Sequence, residues 1–194
     1  MSVIRKIVVF LCGTIFLDLC AAQILMSGRC ANVSVVQDFD AEKYLGRWYE
    51  AEKYFFIFEL GGKCITADYE DKGNGRISVK NGQINTLKHN SPMSVELEGT
   101  LVDPSQGRLD VSFPLAPKGF EANYLIVDTD YTSYALVYSC RYFGIFNLSF
   151  AWILTREQNP PDSVVQKAYH AADKNGIDRQ YFLKTEQTNC PEDS

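Results

Sequence analysis

Between residues 46 and 156 the chain is cut into eight short runs of strand-forming residues, each stopped by a turn. The runs cover 47–56, 64–70, 76–85, 93–102, 108–113, 122–127, 133–139 and 149–155. Lys72-Gly73-Asn74-Gly75 carries the Asn-Gly pair of a tight hairpin, and Asp103-Pro104-Ser105-Gln106-Gly107 and Asp128 to Thr132 are turn-rich as well. Alternation is visible inside the runs: Ile77, Val79 and Asn81 take one face, Arg76, Ser78 and Lys80 the other. Eight strands joined mostly by short links predict an all-β, up-and-down antiparallel barrel. Such a barrel encloses a space just wide enough for one small ligand.

One helix is expected after the strands, over about 161–175. Pro160-Pro161 opens it, Asp162 sits near its positive end and Gly176 stops it. Val164, Val165, Ala168, Tyr169 and Ala172 form an apolar stripe that must pack outside the barrel. A short final strand is expected within 181–185. The aromatic load of 12 Phe, 11 Tyr and 2 Trp suits strands and apolar cavities. A net charge of -5 offers no basic field to hold a phosphate backbone, which sets nucleic-acid binding aside.

The first 22 residues read as a secretory signal peptide. Arg5 and Lys6 precede an apolar run to Leu19, and Cys20-Ala21-Ala22 supplies the small residues of a cleavage site. A single domain then spans 23–194, secreted, with four cysteines: Cys30, Cys64, Cys140 and Cys190. An even count without a CxxC pair predicts two disulfides rather than a zinc site, with three pairings open. Asn32-Val33-Ser34 and Asn147-Leu148-Ser149 are sequons for glycosylation. The polar residues 189–194 have no hydrophobic tail of the kind that directs a glycolipid anchor.

Gly46-Arg47-Trp48 opening the first strand, Thr129-Asp130-Tyr131 in a late turn and Arg156 after the last strand resemble the three motifs of the lipocalins. Tyr134-Ala135-Leu136-Val137-Tyr138-Ser139-Cys140 and Phe150-Ala151-Trp152-Ile153-Leu154 narrow the likeness to the apolipoprotein D and Lazarillo-type branch. That resemblance implies disulfides Cys30–Cys140 and Cys64–Cys190. It implies a carrier of a small hydrophobic ligand such as a fatty acid, sterol or hydrocarbon, acting in lipid transport and stress protection. Gly46, Trp48 and Arg156 are expected to close one barrel end, the guanidinium stacked on the indole.

The same likeness places Tyr69, Asn81, Gln83, Asn85, Phe113, Tyr124 and Trp152 on the cavity wall. Gln83 and Asn85 stand where the family carries charged residues, so a carboxylate ligand lacks a charged partner at those positions. Two aromatic stretches, Tyr54-Phe55-Phe56-Ile57-Phe58 and Tyr142-Phe143-Gly144-Ile145-Phe146, fall in loops that share the open end, joined by Leu115 and Phe120. They either present a lipid, lipoprotein or partner contact or fold inward as a lid.

No HExxH, GxSxG or phosphate-binding glycine motif occurs, and His89 and His170 fall at a loop tip and on the helix. Neither catalysis nor a metal is expected, and no thiol nucleophile remains once the cysteines are paired. The alternatives are a pigment carrier with biliverdin as its bound cofactor, and an interaction protein that meets a cell-surface partner through its aromatic mouth. The sequence is silent on oligomeric state.

Overall fold

The computed structural model describes residues 25–112 and 121–191. Eight antiparallel strands form a closed barrel: β2 (Gly46–Lys53), β3 (Gly62–Gly73), β4 (Arg76–Asn85), β5 (Ser91–Leu101), β6 (Arg108–Ser112), β7 (Glu121–Thr129), β8 (Tyr134–Tyr142) and β9 (Phe146–Thr155). Each pairs with its sequence neighbour, and β9 pairs with β2 to close the ring. Closure satisfies the backbone of every barrel strand on both sides, so none is left as an exposed edge.

Two short strands lie outside the ring. β1 (Leu25–Ser27) adds to β9, and β10 (Leu183–Lys184) adds to β2 where β3 has turned away. The signal-peptide segment and the expected residues Phe113, Leu115 and Phe120 lie outside the described residues.

Alternation builds two apolar layers. Inward side chains, among them Trp48, Tyr69, Ile77, Val79, Leu97, Leu109, Val111, Ile126, Val137 and Leu154, fill the closed half of the barrel. Outward side chains of the other parity, Leu136, Tyr138, Ala151 and Ile153, lie under α2 (Asp162–Lys174), which buries Ala168, Ala171 and Ala172 on them. The three alanines allow the close approach, and Gly176 past the helix takes φ +66°. A four-residue helix, α1 (Ala41–Tyr44), caps the closed end, its Asp40 side chain accepting from the Lys43 amide.

Two disulfides, Cys30–Cys140 and Cys64–Cys190, fasten the segments flanking the barrel to β8 and β3. The pairing is the one implied by the family resemblance.

One irregularity decides what enters the cavity. Against β9, the register of β2 shifts between Glu50 and Glu52: Glu50 faces Leu154, Glu52 faces Ile153 and Lys53 faces Trp152. Ala51 is the extra residue of a β-bulge. Because directly opposed residues share a face, Glu50 and Lys53 both point inward with Leu154 and Trp152.

Candidate ligand-binding site

The closed end is built on a fully buried Trp48, whose Nε1–H donates to the Tyr44 carbonyl at 2.8 Å. The Arg156 guanidinium lies 3.7 Å above the indole ring. Its nitrogens donate to the carbonyls of Tyr131 at 3.0 Å, Arg47 at 2.8 Å, Lys43 at 2.8 Å and Tyr44 at 3.3 Å. One side chain thus ties α1, β2 and the β7–β8 turn together across the barrel floor. Gly46 takes φ +87°, a conformation that admits glycine cheaply and most other residues at a cost. The Asp130 carboxylate holds the β7–β8 turn by accepting from the amides of Thr132, Ser133 and Tyr134 and from Lys167 of α2. Burial works against its charge, but these donors win and keep it ionised well below the usual carboxylate range.

Above this floor three phenols form a chain. The Tyr124 hydroxyl lies 2.5 Å from that of Tyr69 and 3.1 Å from that of Tyr44. Desolvation pushes Tyr69 up to about 12 and the other two well above the ordinary phenol value, so all three stay neutral. Tyr44 and Tyr69 also interact with each other, so the three hydroxyls form one mutually bonded group. Tyr44 is missing from the sequence expectations because it precedes the first strand and reaches the interior only through α1.

Asn81 lies on the inner face, opposed by Ala67 and Val95. Across the cavity, Trp152 and Phe150 stack at 6.0 Å, and Phe56 folds down from the β2–β3 loop to meet them edge-on at 5.8 and 5.2 Å. Phe150 and Phe56 extend the expected wall of Trp152; the i, i+2 spacing of Phe150 and Trp152 marks the first of them in the sequence.

The wall beside Trp152 is polar. Lys53 Nζ lies 2.9 Å from Glu50 Oε1 and 2.6 Å from Glu59 Oε2, and Glu50 also accepts from the Thr185 hydroxyl at 2.5 Å. The contacts to Lys53 are close but poorly aligned as hydrogen bonds. Burial, reinforced by the nearby Glu50 charge, raises Glu59 to about 8 despite Lys53. The cavity therefore contains a cation, on β2 rather than at positions 83 and 85 of β4.

Gln83 and Asn85 face inward, yet their amide nitrogens are engaged by the loop, donating to the carbonyls of Phe58 at 3.3 Å and Leu60 at 3.4 Å. They hold the β2–β3 loop over the mouth. Gly62 makes this fit, since a Cβ there would lie 2.1 Å from Gln83 Oε1.

The mouth aromatics divide between outward and inward. Phe58 is 74% exposed and Ile145 82%, with Phe143, Tyr142, Ile57, Leu60 and Leu87 also open to solvent. Phe56 is turned into the cavity, Phe55 and Phe146 are half-buried, and Phe146 stacks on Phe143 at 5.4 Å. Tyr54 is buried outside the barrel, donating to the Asp178 carbonyl.

The sequons differ sharply. Asn32 is exposed. Asn147 is only 2% exposed, its Nδ2 donates to the carbonyls of Gly28 and Arg29, and its Oδ1 accepts from Ser149. The nitrogen that would carry a glycan at Asn147 is thus buried under the N-terminal segment, whereas that of Asn32 lies on an exposed residue.

Residues 39–187 match the model of the lipocalin-like domain. Apolipoprotein D of Mus musculus is 39% identical over 173 residues, covering 85% of this chain and 86% of its own. The Lazarillo protein of Schistocerca americana is 31% identical over 172 residues, covering 87% and 78% respectively. Among solved structures, lobster apocrustacyanin A1 superposes with a TM-score of 0.76 at 24% identity, covering 87% of this chain and 94% of its own. With the closed eight-stranded barrel, the Trp48–Arg156 closure and these matches in hand, the chain belongs to the lipocalin family.

Proposed function

We propose that this protein is a secreted carrier of one small hydrophobic ligand, held between the aromatic wall of Phe56, Phe150 and Trp152 and the tyrosine floor. The observation that carries the reading is that wall. Three aromatic rings face an interior floored by three phenol hydroxyls, a combination that suits an apolar body with one polar end. The likeness to apolipoprotein D over most of both chains supports it. The test is organic extraction of the purified secreted protein with mass spectrometry, together with Nile red binding and a visible spectrum. A colourless protein that binds the dye and releases a stoichiometric lipid is expected. Visible absorption with an extracted tetrapyrrole would replace the lipid by a bilin, and failure to bind any apolar probe would reject the carrier reading.

The outward residues Phe58, Phe143 and Ile145 give the mouth an apolar rim that suits docking on a lipid surface for loading. Co-sedimentation with vesicles should fall when the three are changed together to Ser. Unchanged co-sedimentation would reject the docking.

A further inference from the structure

The polar wall has an unusual composition for the inside of an apolar-ligand barrel. Lys53 is inside only because of the Ala51 bulge, and it stands beside Trp152 in register. Its nearer partner, Glu59, is not a strand residue. It sits in the three-residue turn Ile57–Glu59 of the β2–β3 loop, between Phe58 and Leu60, both of which face solvent. A carboxylate therefore reaches down from an otherwise exposed loop onto the cavity's ammonium.

We propose that Glu59 occupies, in the unliganded protein, the place of a ligand carboxylate, so that Lys53 is the anchor for an acidic lipid whose binding expels Glu59 and lifts the β2–β3 loop. The inference rests on the carrier reading and names the ligand class for the same cavity. In the exchange one carboxyl group leaves Lys53 as another arrives. It places the incoming chain directly against Trp152, Phe150 and Phe56. Glu59 returns to water at the mouth, and the cost is confined to the contacts that hold the loop: the Gln83 and Asn85 bonds and the inward packing of Phe56.

The charged groups that face Glu59 are Glu50 and Lys53 of β2. The β4 side chains against the loop are the neutral amides Gln83 and Asn85, and the β9 side chains are aromatic. Lys63 of β3 and Glu186 of the C-terminal segment are engaged with each other at 4.0 Å. Held in the cluster, Glu59 keeps its proton up to about pH 8; expelled, it regains an ordinary carboxylate value. The incoming carboxylate meets the same burial and the same Glu50 charge, so it takes up the proton that Glu59 gives to water, and net proton exchange on binding is small.

The experiment compares cis-parinaric acid with its methyl ester, with Nile red as the uncharged reference, on wild type, Glu59→Gln and Lys53→Met. The acid-to-ester affinity ratio should rise about tenfold in Glu59→Gln, which removes the competing carboxyl group, and fall by about tenfold in Lys53→Met. The Glu59→Gln ratio is a readout that stands if Lys53→Met does not fold. A ratio unmoved by Glu59→Gln overturns the exchange, while Nile red and ester binding leave the carrier reading intact. Failure of Nile red and both parinaric probes on the wild type overturns the carrier reading, and the exchange with it.

Discussion

Replacing Arg156 by Met is the sharpest test of how the closed end is held. Methionine keeps an unbranched stem of similar reach, so the change removes the cation and the five-donor fork with little loss of packing. The bonds to the Arg47 and Lys43 carbonyls lie in exposed surroundings, where water takes over at small cost. Those to Tyr131 and Tyr44 are partly buried, and the second is long at 3.3 Å. One good charged hydrogen bond contributes about 1.5–3 kcal/mol, and the stack on Trp48 adds about 1 kcal/mol at a half-covered site. A loss of about 2.5–4 kcal/mol follows, equivalent to a fall in melting temperature of about 10 °C for a domain of this size. The assay is denaturant unfolding with the disulfides intact, followed by both circular dichroism and tryptophan fluorescence. Arg156→Lys should fall between the two proteins, since it restores charge but not the fork. A loss under about 1 kcal/mol for Arg156→Met would refute the reasoning, showing that solvent replaces the guanidinium at all four carbonyls.

Three further expectations concern the frame around the cavity. Changing Cys64 and Cys190 together to Ser should cost about 4–5 kcal/mol, since the bridge spans 126 residues, with equilibrium unfolding as the check; a loss under about 1 kcal/mol would count against it. Asn32→Gln should abolish the mobility shift produced by glycosidase treatment of the secreted protein, whereas a shift that disappears only in Asn147→Gln would contradict the buried Asn147 amide. Asp130, held ionised below its ordinary value, contributes stability that is present above its unfolded value and lost as pH falls through the folded one. Acid titration should therefore show a shallower fall in stability for Asp130→Asn than for wild type, and parallel curves would remove Asp130 from the account.

The barrel was legible because its signals are local and repeated. Turn dipeptides set the strand ends, alternation set the faces, and Trp48 and Arg156 sit at positions where only one role is open to them. The polar wall was hidden for a specific reason. Counting by twos from Trp48 puts Glu50 inside and Lys53 outside, next to solvent, where a lysine draws no attention. The single extra residue at Ala51 reverses every later assignment on that strand, bringing Lys53 in and sending Tyr54 out under the helix. Glu59 was hidden differently, since a glutamate in a loop carries no periodicity, and its burial depends on Gln83 and Asn85, which are distant in sequence. The sequon at Asn147 shows the reverse failure. A three-residue pattern reads the same whether its asparagine faces water or lies beneath the N-terminal segment.

The two disulfides have a consequence for the life of the protein outside the cell. Their spans interleave, one running from Cys30 to Cys140 and the other from Cys64 to Cys190. A protease that cuts once anywhere between Cys30 and Cys190 leaves the two fragments covalently joined by at least one bridge. The cut chain then migrates as one species on a non-reducing gel and separates only after reduction. A clipped barrel can thus keep its strands together and its cargo enclosed where a chain with two separate, non-overlapping bridges would shed a piece.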